Sequence, residues 1–203
     1  VDNDWSNGGN WVGGVAPGTG QNVKISTAGT GNYPVLTGLT TEVDGDLTID
    51  NGTNININAK ILVVNGNIDI NGTLDFAVSG SRCYVSGNWD DNTGTLSYGL
   101  GSHQVRLRGS GTVSQDPSNV FRNLQIENGL YTAASDINIV QNFNIGATTT
   151  GQFDVSTFTI HHQASGGNRV FIDNGTLFFN GNGTLNSDAA FDASGGTITF
   201  NAA

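Results

Sequence analysis

Methionine is absent from the 203-residue chain, and cysteine occurs once, as Cys83. A lone thiol forms no intramolecular disulfide, and zinc sites built from cysteine pairs are excluded. Cys83 therefore reads as a small buried hydrophobe. Without Met the chain has no start residue of its own, so a processed chain or a piece of a longer one is expected, with a leader removed or far upstream. Charge is scarce as well: 12% of residues are charged, where ordinary domains carry roughly 25%. The seven Lys and Arg face seventeen Asp and Glu, for a net charge of −10. Nucleic-acid binding calls for a basic stripe, which this composition does not supply. An anionic membrane surface is disfavoured for the same reason. No apolar run approaches the roughly eighteen residues of a membrane span, so membrane insertion is not expected. No stretch carries a 3.6-residue apolar period, so almost no helix is expected.

What the chain does have is turn formers, strand formers and amides: 30 Gly, 26 Asn and 22 Thr. Between Leu47 and Phe76 apolar pairs recur as Leu47/Ile49, Ile55/Ile57, Ile61/Val63, Ile68/Ile70 and Leu74/Phe76. Spacing of two within each pair is strand spacing, with both side chains on one face. Asn-Gly at 51–52, 65–66 and 71–72 punctuates the gaps, where positive φ lets the chain turn at little steric cost. Hairpins are one reading. The preferred reading is all-β, a parallel β-solenoid (β-helix) of about three short strands per rung of roughly twenty residues. About ten rungs at roughly 4.8 Å each would give a rod of nearly 50 Å. Inward Asn residues could stack as amide ladders, with Asn51, Asn65, Asn71, Asn128 and Asn174 as candidates.

Residues 1–25 differ from the rest. Trp5 and Trp11 flank a Gly/Asn turn, and Val23/Ile25 open the first strand pair. Two readings stand for these rings: a cover over the apolar end of the first rung, or an exposed platform for stacking sugars. Beyond Arg82 the pattern persists with longer gaps. Strands are expected at 84–86, 95–98, 105–107, 124–126, 137–139, 143–145, 153–155, 158–160, 170–172, 177–179 and 198–200. Ser110–Asn119 and Ala147–Gly151 read as extended loops. No linker divides the chain, so one domain is expected over 1–203, with 1–25 as a Trp-containing N-terminal cap and 26–203 as the solenoid body. No closing cap follows the strand-like end at Phe200, and a solenoid needs covered ends for solubility. A longer parent protein or a partner subunit is expected there.

Trp5-Ser6-Asn7-Gly8-Gly9-Asn10-Trp11, with Pro17-Gly18 and Asn22-Val23-Lys24-Ile25, resembles the opening segment of large secreted bacterial surface proteins with β-solenoid repeats. Gly45-Asp46-Leu47-Thr48-Ile49 through Asn71-Gly72-Thr73-Leu74 is similar to their repeat body. So are Gly87-Asn88-Trp89 to Gly94-Thr95-Leu96, and the stretch from Val105 to Phe121-Arg122-Asn123-Leu124-Gln125-Ile126. The resemblance covers most of the chain. It implies export to the cell surface, adhesion, fibres or matrix, and no shared catalytic residues.

No nucleophile-elbow, phosphate-loop or dinucleotide glycine motif occurs. Enzymes on this fold that cleave acidic polysaccharides group carboxylates on neighbouring rungs with a metal or base. Here Asp90-Asp91 is the densest acidic pair, and it reads as a solvated turn. Asp2 and Asp4 with nearby Asn could ligate calcium, although no calcium-loop spacing is present, so no cofactor is expected. His161 and His162 alternate faces on one strand and cannot chelate one metal together. Arg106 and Arg108 share an outward face beside Gln104 and His103. This small basic strip could meet a carboxylate-bearing glycan or an acidic neighbour, or be plain solvated surface. Four Asn-Gly-Thr sequons, at Asn51, Asn71, Asn174 and Asn182, are explained by turn-then-strand chemistry alone. The expectation is a non-enzymatic, extracellular β-solenoid with structural or adhesive work. It would be a rigid segment of a surface protein or a subunit stacking end to end on itself. A carbohydrate-binding module, using Trp5, Trp11 or Trp89 with Arg106 and Arg108, is the alternative, and a polysaccharide-degrading enzyme a third reading.

Overall fold

The computed structural model describes residues 2–26, 33–147, 149–163, 168–188, 190–193 and 195–201. They form a parallel β-solenoid of about 8 turns, three strands per rung, with a single 3-10 turn at Gly8–Asn10. A rung runs through three faces. Leu47–Ile49 lies on the first, Asn54–Asn56 on the second and Ile61–Val64 on the third, and Ile68–Ile70 then returns to the first. The first face is one nine-stranded sheet and the third an eight-stranded sheet. The second is split into two three-stranded sheets.

Parallel stacking places like on like. Leu47 sits beside Ile68, and Ile68 beside Trp89. On the third face Leu62, Cys83, Val105, Leu124, Phe143 and Val170 form one inward column. All six are at most 1% exposed, and each buried side chain of this kind contributes roughly 1.5–3 kcal/mol. Burial also pushes the Cys83 thiol up, in keeping with its place in this column.

Several expectations are corrected. The inward pair on Ile61–Val64 is Leu62 and Val64, not Ile61 and Val63. A wholly apolar tetrapeptide offers no polar residue to fix its phase. Asp90 and Asp91 lie in the strand Trp89–Asp91 rather than a turn. Gly111–Gln115 is a strand within the stretch expected to be a loop. The turns number about 8 rather than ten, because several rungs are longer than twenty residues, as the 24-residue step from Asn88 to Thr112 shows.

In place of the expected inward amide ladder, an exposed corner carries a ladder of backbone N–H groups donating to side-chain oxygens. The Asp46 backbone N–H donates to Asn22 Oδ1 at 2.9 Å, and Asn67 N–H to Asp46 Oδ1 at 2.8 Å. Asn88 N–H donates to Asn67 Oδ1 at 2.8 Å, and Thr112 N–H to Asn88 Oδ1 at 2.9 Å. One corner of the coil is thus laced by side chains for four consecutive steps. From Asp46 onward the residue before each rung's member is glycine for a steric reason: a Cβ on Gly66 would overlap Asp46 Oδ1, and one on Gly87 would lie 2.5 Å from Asn67 Oδ1. Asn51, Asn65, Asn128 and Asn174, expected to stack inward, are exposed and take no part in it.

The second face breaks between Thr95–Tyr98 and Ile137–Ile139, and a side chain bridges the break. Leu96 N–H donates to Asn119 Oδ1 at 3.0 Å, while Asn119 Nδ2 donates to the Gly94 carbonyl at 3.1 Å. The Asn119 amide thereby stands in for a peptide group of the missing strand. Two residues on, Phe121 N–H donates to the Asn138 carbonyl and its own carbonyl accepts from Val140, which resumes the ladder.

Candidate functional site

The two ends of the coil differ in how their apolar interior is finished. At the N-terminal end the second face is extended upward, with Val35 bridging both Asp4 and Asn56. This half-rung brings Trp5 over the first core layer, where it is 7% exposed. Trp11 meets it edge to face at 4.9 Å, and its indole N–H donates to the Trp5 carbonyl at 2.8 Å. Carboxylates hold the cap: Asp2 accepts from Asn7 and Asn10, and Asp4 from Ser6 and Thr37. These bonds hold both carboxyls below their ordinary range. The oxygens considered for calcium are thus engaged within the chain. Beside the cap a cleft of about 600 Å³ runs along Val23–Ile25, walled by Trp11, Val15 and Tyr33.

Among the described residues the opposite end has no such cover. Phe200 is 76% exposed and stacks on Phe179 at 5.0 Å. Leu185, Phe191 and Ile198 join them around an open apolar cleft of about 360 Å³. The last strands, Thr184–Ser187, Ala190–Asp192 and Thr197–Asn201, contain no fully buried residue. Their inward positions have no rung beyond them among the described residues.

The sequence-expected contact residues fall into three settings. Trp5 and Trp11 meet as one unit at the cap. Trp89 is completely buried in the middle of the coil, edge to face with Phe121 at 5.3 Å, so its ring face is closed to any sugar. Arg106 and Arg108 lie together on the outer side of the third face. Their guanidinium groups cover the Tyr84 ring at 5.1 and 3.9 Å. Both reach Glu127, at 3.8 and 3.1 Å, and Arg106 Nε also donates to Gln104 Oε1 at 2.8 Å. The acidic neighbour of this strip is one of the chain's own residues.

Sequence reasoning overlooked the interior position of Asp91. Its carboxyl is fully buried, accepts from Asn119 Nδ2 at 3.0 Å, and leaves Oδ1 without a partner. The nearby Trp89 indole N–H, whose field favours the carboxylate, lies outside hydrogen-bond geometry. Desolvation dominates and pushes the pKa up to about 7. Alternation along Trp89-Asp90-Asp91 was the available signal, since residue 91 must share the inward face of Trp89. Sealed inside the coil, Asp91 has no path to a substrate. His162 also points inward, as its strand phase predicts, and its ring nitrogens meet Ser187 Oγ and the Gln141 carbonyl. His161 faces outward toward Asp136 at 3.7 Å. Among the described residues no group of three or more His, Cys, Asp or Glu could hold a metal ion.

No family model matches the chain, and neither does any curated protein or solved structure.

Proposed function

We propose that the chain is an extracellular, non-enzymatic structural element. It acts as a rigid rod whose uncovered C-terminal end docks the next β-structured element: a second copy, or further rungs of a longer surface protein. The observation that carries this reading is the contrast between the ends. An exposed Phe200 stacked on Phe179, over strands with an unpaired edge, is a template for adding another strand. Solenoid interfaces of this kind are nearest-neighbour contacts, so a docked rung would extend the core by the same means as every internal rung. The surface favours durability outside a cell, since only seven Lys and Arg are present for trypsin-like cleavage.

Sedimentation and negative-stain electron microscopy over a range of concentrations test this function. Rods lengthening along their axis with concentration, and single rods for the Phe191→Ser/Phe200→Ser double variant, are expected. A wild-type chain that stays a single rod at every concentration, and gains nothing when further rungs are fused after Ala203, would overturn it. The carbohydrate-binding alternative finds support in the cleft beside Trp11 and Tyr33. Binding of a neutral glycan that is lost in Trp11→Ala would favour it.

A further inference from the structure

Arg82 lacks the ion pair that three of the chain's seven cations make. Lys24 reaches Asp50 at 3.0 Å, and Arg106 and Arg108 reach Glu127. Among the described residues no carboxylate lies within ion-pair distance of Arg82. Its side chain is exposed and lines a concavity of about 220 Å³ with Ser79, Gly80, Ser102, Gln104 and Asn123.

The concavity has fixed walls. Two loops from consecutive rungs stack on each other: Gly80 N–H donates to the Ser102 carbonyl at 2.8 Å, and Ser102 N–H to Ser79 Oγ at 3.4 Å. Gly101 adopts φ 113° and lies so close to Ser79 that a Cβ would meet its side chain. From behind, Arg122 donates to the Gly101 carbonyl at 3.0 Å. The floor is set by register, with Arg82, Gln104 and Asn123 side by side on successive strands. Gln104 is held by Arg106 and Gln125, and Asn123 by the His103 carbonyl. The Arg82 guanidinium, two serine hydroxyls and the remaining Gln104 N–H thus supply donors around a space with no carboxylate lining it, while both Asn123 amide hydrogens are held by the His103 carbonyl and Gln141 Oε1. Such a set suits an oxyanion attached to a hydroxyl-bearing body.

We propose that this cleft binds a carboxylate or sulfate group carried on an acidic polysaccharide. The single cation lining the cleft matches one charged group of such a polymer at a time, with the hydroxyls left for its sugar oxygens. The polar positions Arg82, Gln104 and Asn123 succeed one another on three adjacent strands, roughly 4.8 Å apart, so a sugar chain lying along the axis passes over them in turn. A nucleic acid carries a charge about every 1.7 Å along the duplex, more closely than one cation per cleft can meet. This role goes beyond the mechanical one and does not depend on end-to-end docking.

Affinity electrophoresis of the full chain tests the site, with polygalacturonate, dextran sulfate, neutral dextran and a DNA oligonucleotide as separate probes. Retardation by polygalacturonate or dextran sulfate is expected, and the stronger of the two identifies the oxyanion. Arg82→Gln is expected to weaken that binding about ten- to a hundredfold, as loss of a charge-assisted contact does. Lys24→Gln, which removes the same charge elsewhere, should leave binding unchanged. Unaltered thermal melting of Arg82→Gln separates lost binding from lost fold. No retardation by either acidic polymer would overturn the site, as would equal retardation by DNA or equal loss in both variants.

Discussion

The covered end and the bare end of this coil solve one physical problem in opposite ways. Both present a cross-section of apolar side chains and a row of strand edges. At the N-terminal end a half-rung, tied by Asp2 and Asp4, brings Trp5 over the core and leaves it 7% exposed. At the other end Phe200 remains 76% exposed. An aromatic in a β-solenoid thus closes the interior only where backbone above it fixes its position. The same kind of ring without that support stays open to solvent.

Truncation should separate the ends most clearly. Trp5→Ala is expected to cost about 3–5 kcal/mol, as removal of a buried aromatic does, measured by urea unfolding. Phe200→Ser should change the stability of the single rod by under about 1 kcal/mol, because an exposed side chain has little to lose. Comparable losses in the two variants would mean that the ends are equivalent.

The middle of the coil answers pH differently from its cap. Asp91 has a folded pKa of about 7 against an ordinary 3.8. The folded state therefore holds its proton more tightly than the unfolded chain. The stability this provides is full below pH 3.8, is lost as pH rises to about 7, and is flat above. At about 1.36 kcal/mol per pH unit the loss is of order 4 kcal/mol. Asp91→Asn should abolish that slope. Asp2 and Asp4 act with the opposite sign. Their lowered pKa values stabilise the cap above the usual carboxylate range, and this is lost as pH falls through their folded values. Exchange of the Trp11 indole proton, which bonds to Trp5, should therefore speed up in acid while the Asp91 region tightens.

Between the ends, Asn67→Ala removes one step of the corner ladder. It removes the acceptor of the Asn88 N–H at this exposed corner, where water can replace it, at a cost of about 0.5–1.5 kcal/mol. Because each rung touches only its neighbours, the loss should appear in hydrogen exchange near Asn67 and Asn88 and fade toward both ends.

Much of this architecture was legible in the apolar pairs, since period-two spacing fixes which residues face inward wherever a polar residue alternates with an apolar one. Where it does not, phase was lost. Ile61–Val64 is apolar throughout, and tertiary packing chose Leu62 and Val64. The corner ladder was visible as Gly45-Asp46-Leu47, Gly66-Asn67-Ile68 and Gly87-Asn88-Trp89. The more frequent Asn-Gly turns drew attention from it, although the order Gly-Asn places the amide inside the ladder and Asn-Gly places it outside. The Asn119 bridge could not be read from spacing. It depends on a side chain replacing a strand in another rung, a contact 23 residues distant from Leu96. The Arg82 cleft likewise joins loops from two rungs, so its walls meet only once the coil is wound.

Hydrogen exchange along the nine-stranded face tests the asymmetry of the ends most directly. In dilute, unassociated chain, amides from Val23–Ile25 through Thr176–Asn180 should be protected, with protection falling sharply at Thr197–Asn201 and returning there on association. Equal fraying at Val23–Ile25 and Thr197–Asn201, or full protection of Thr197–Asn201 in the unassociated chain, would contradict it.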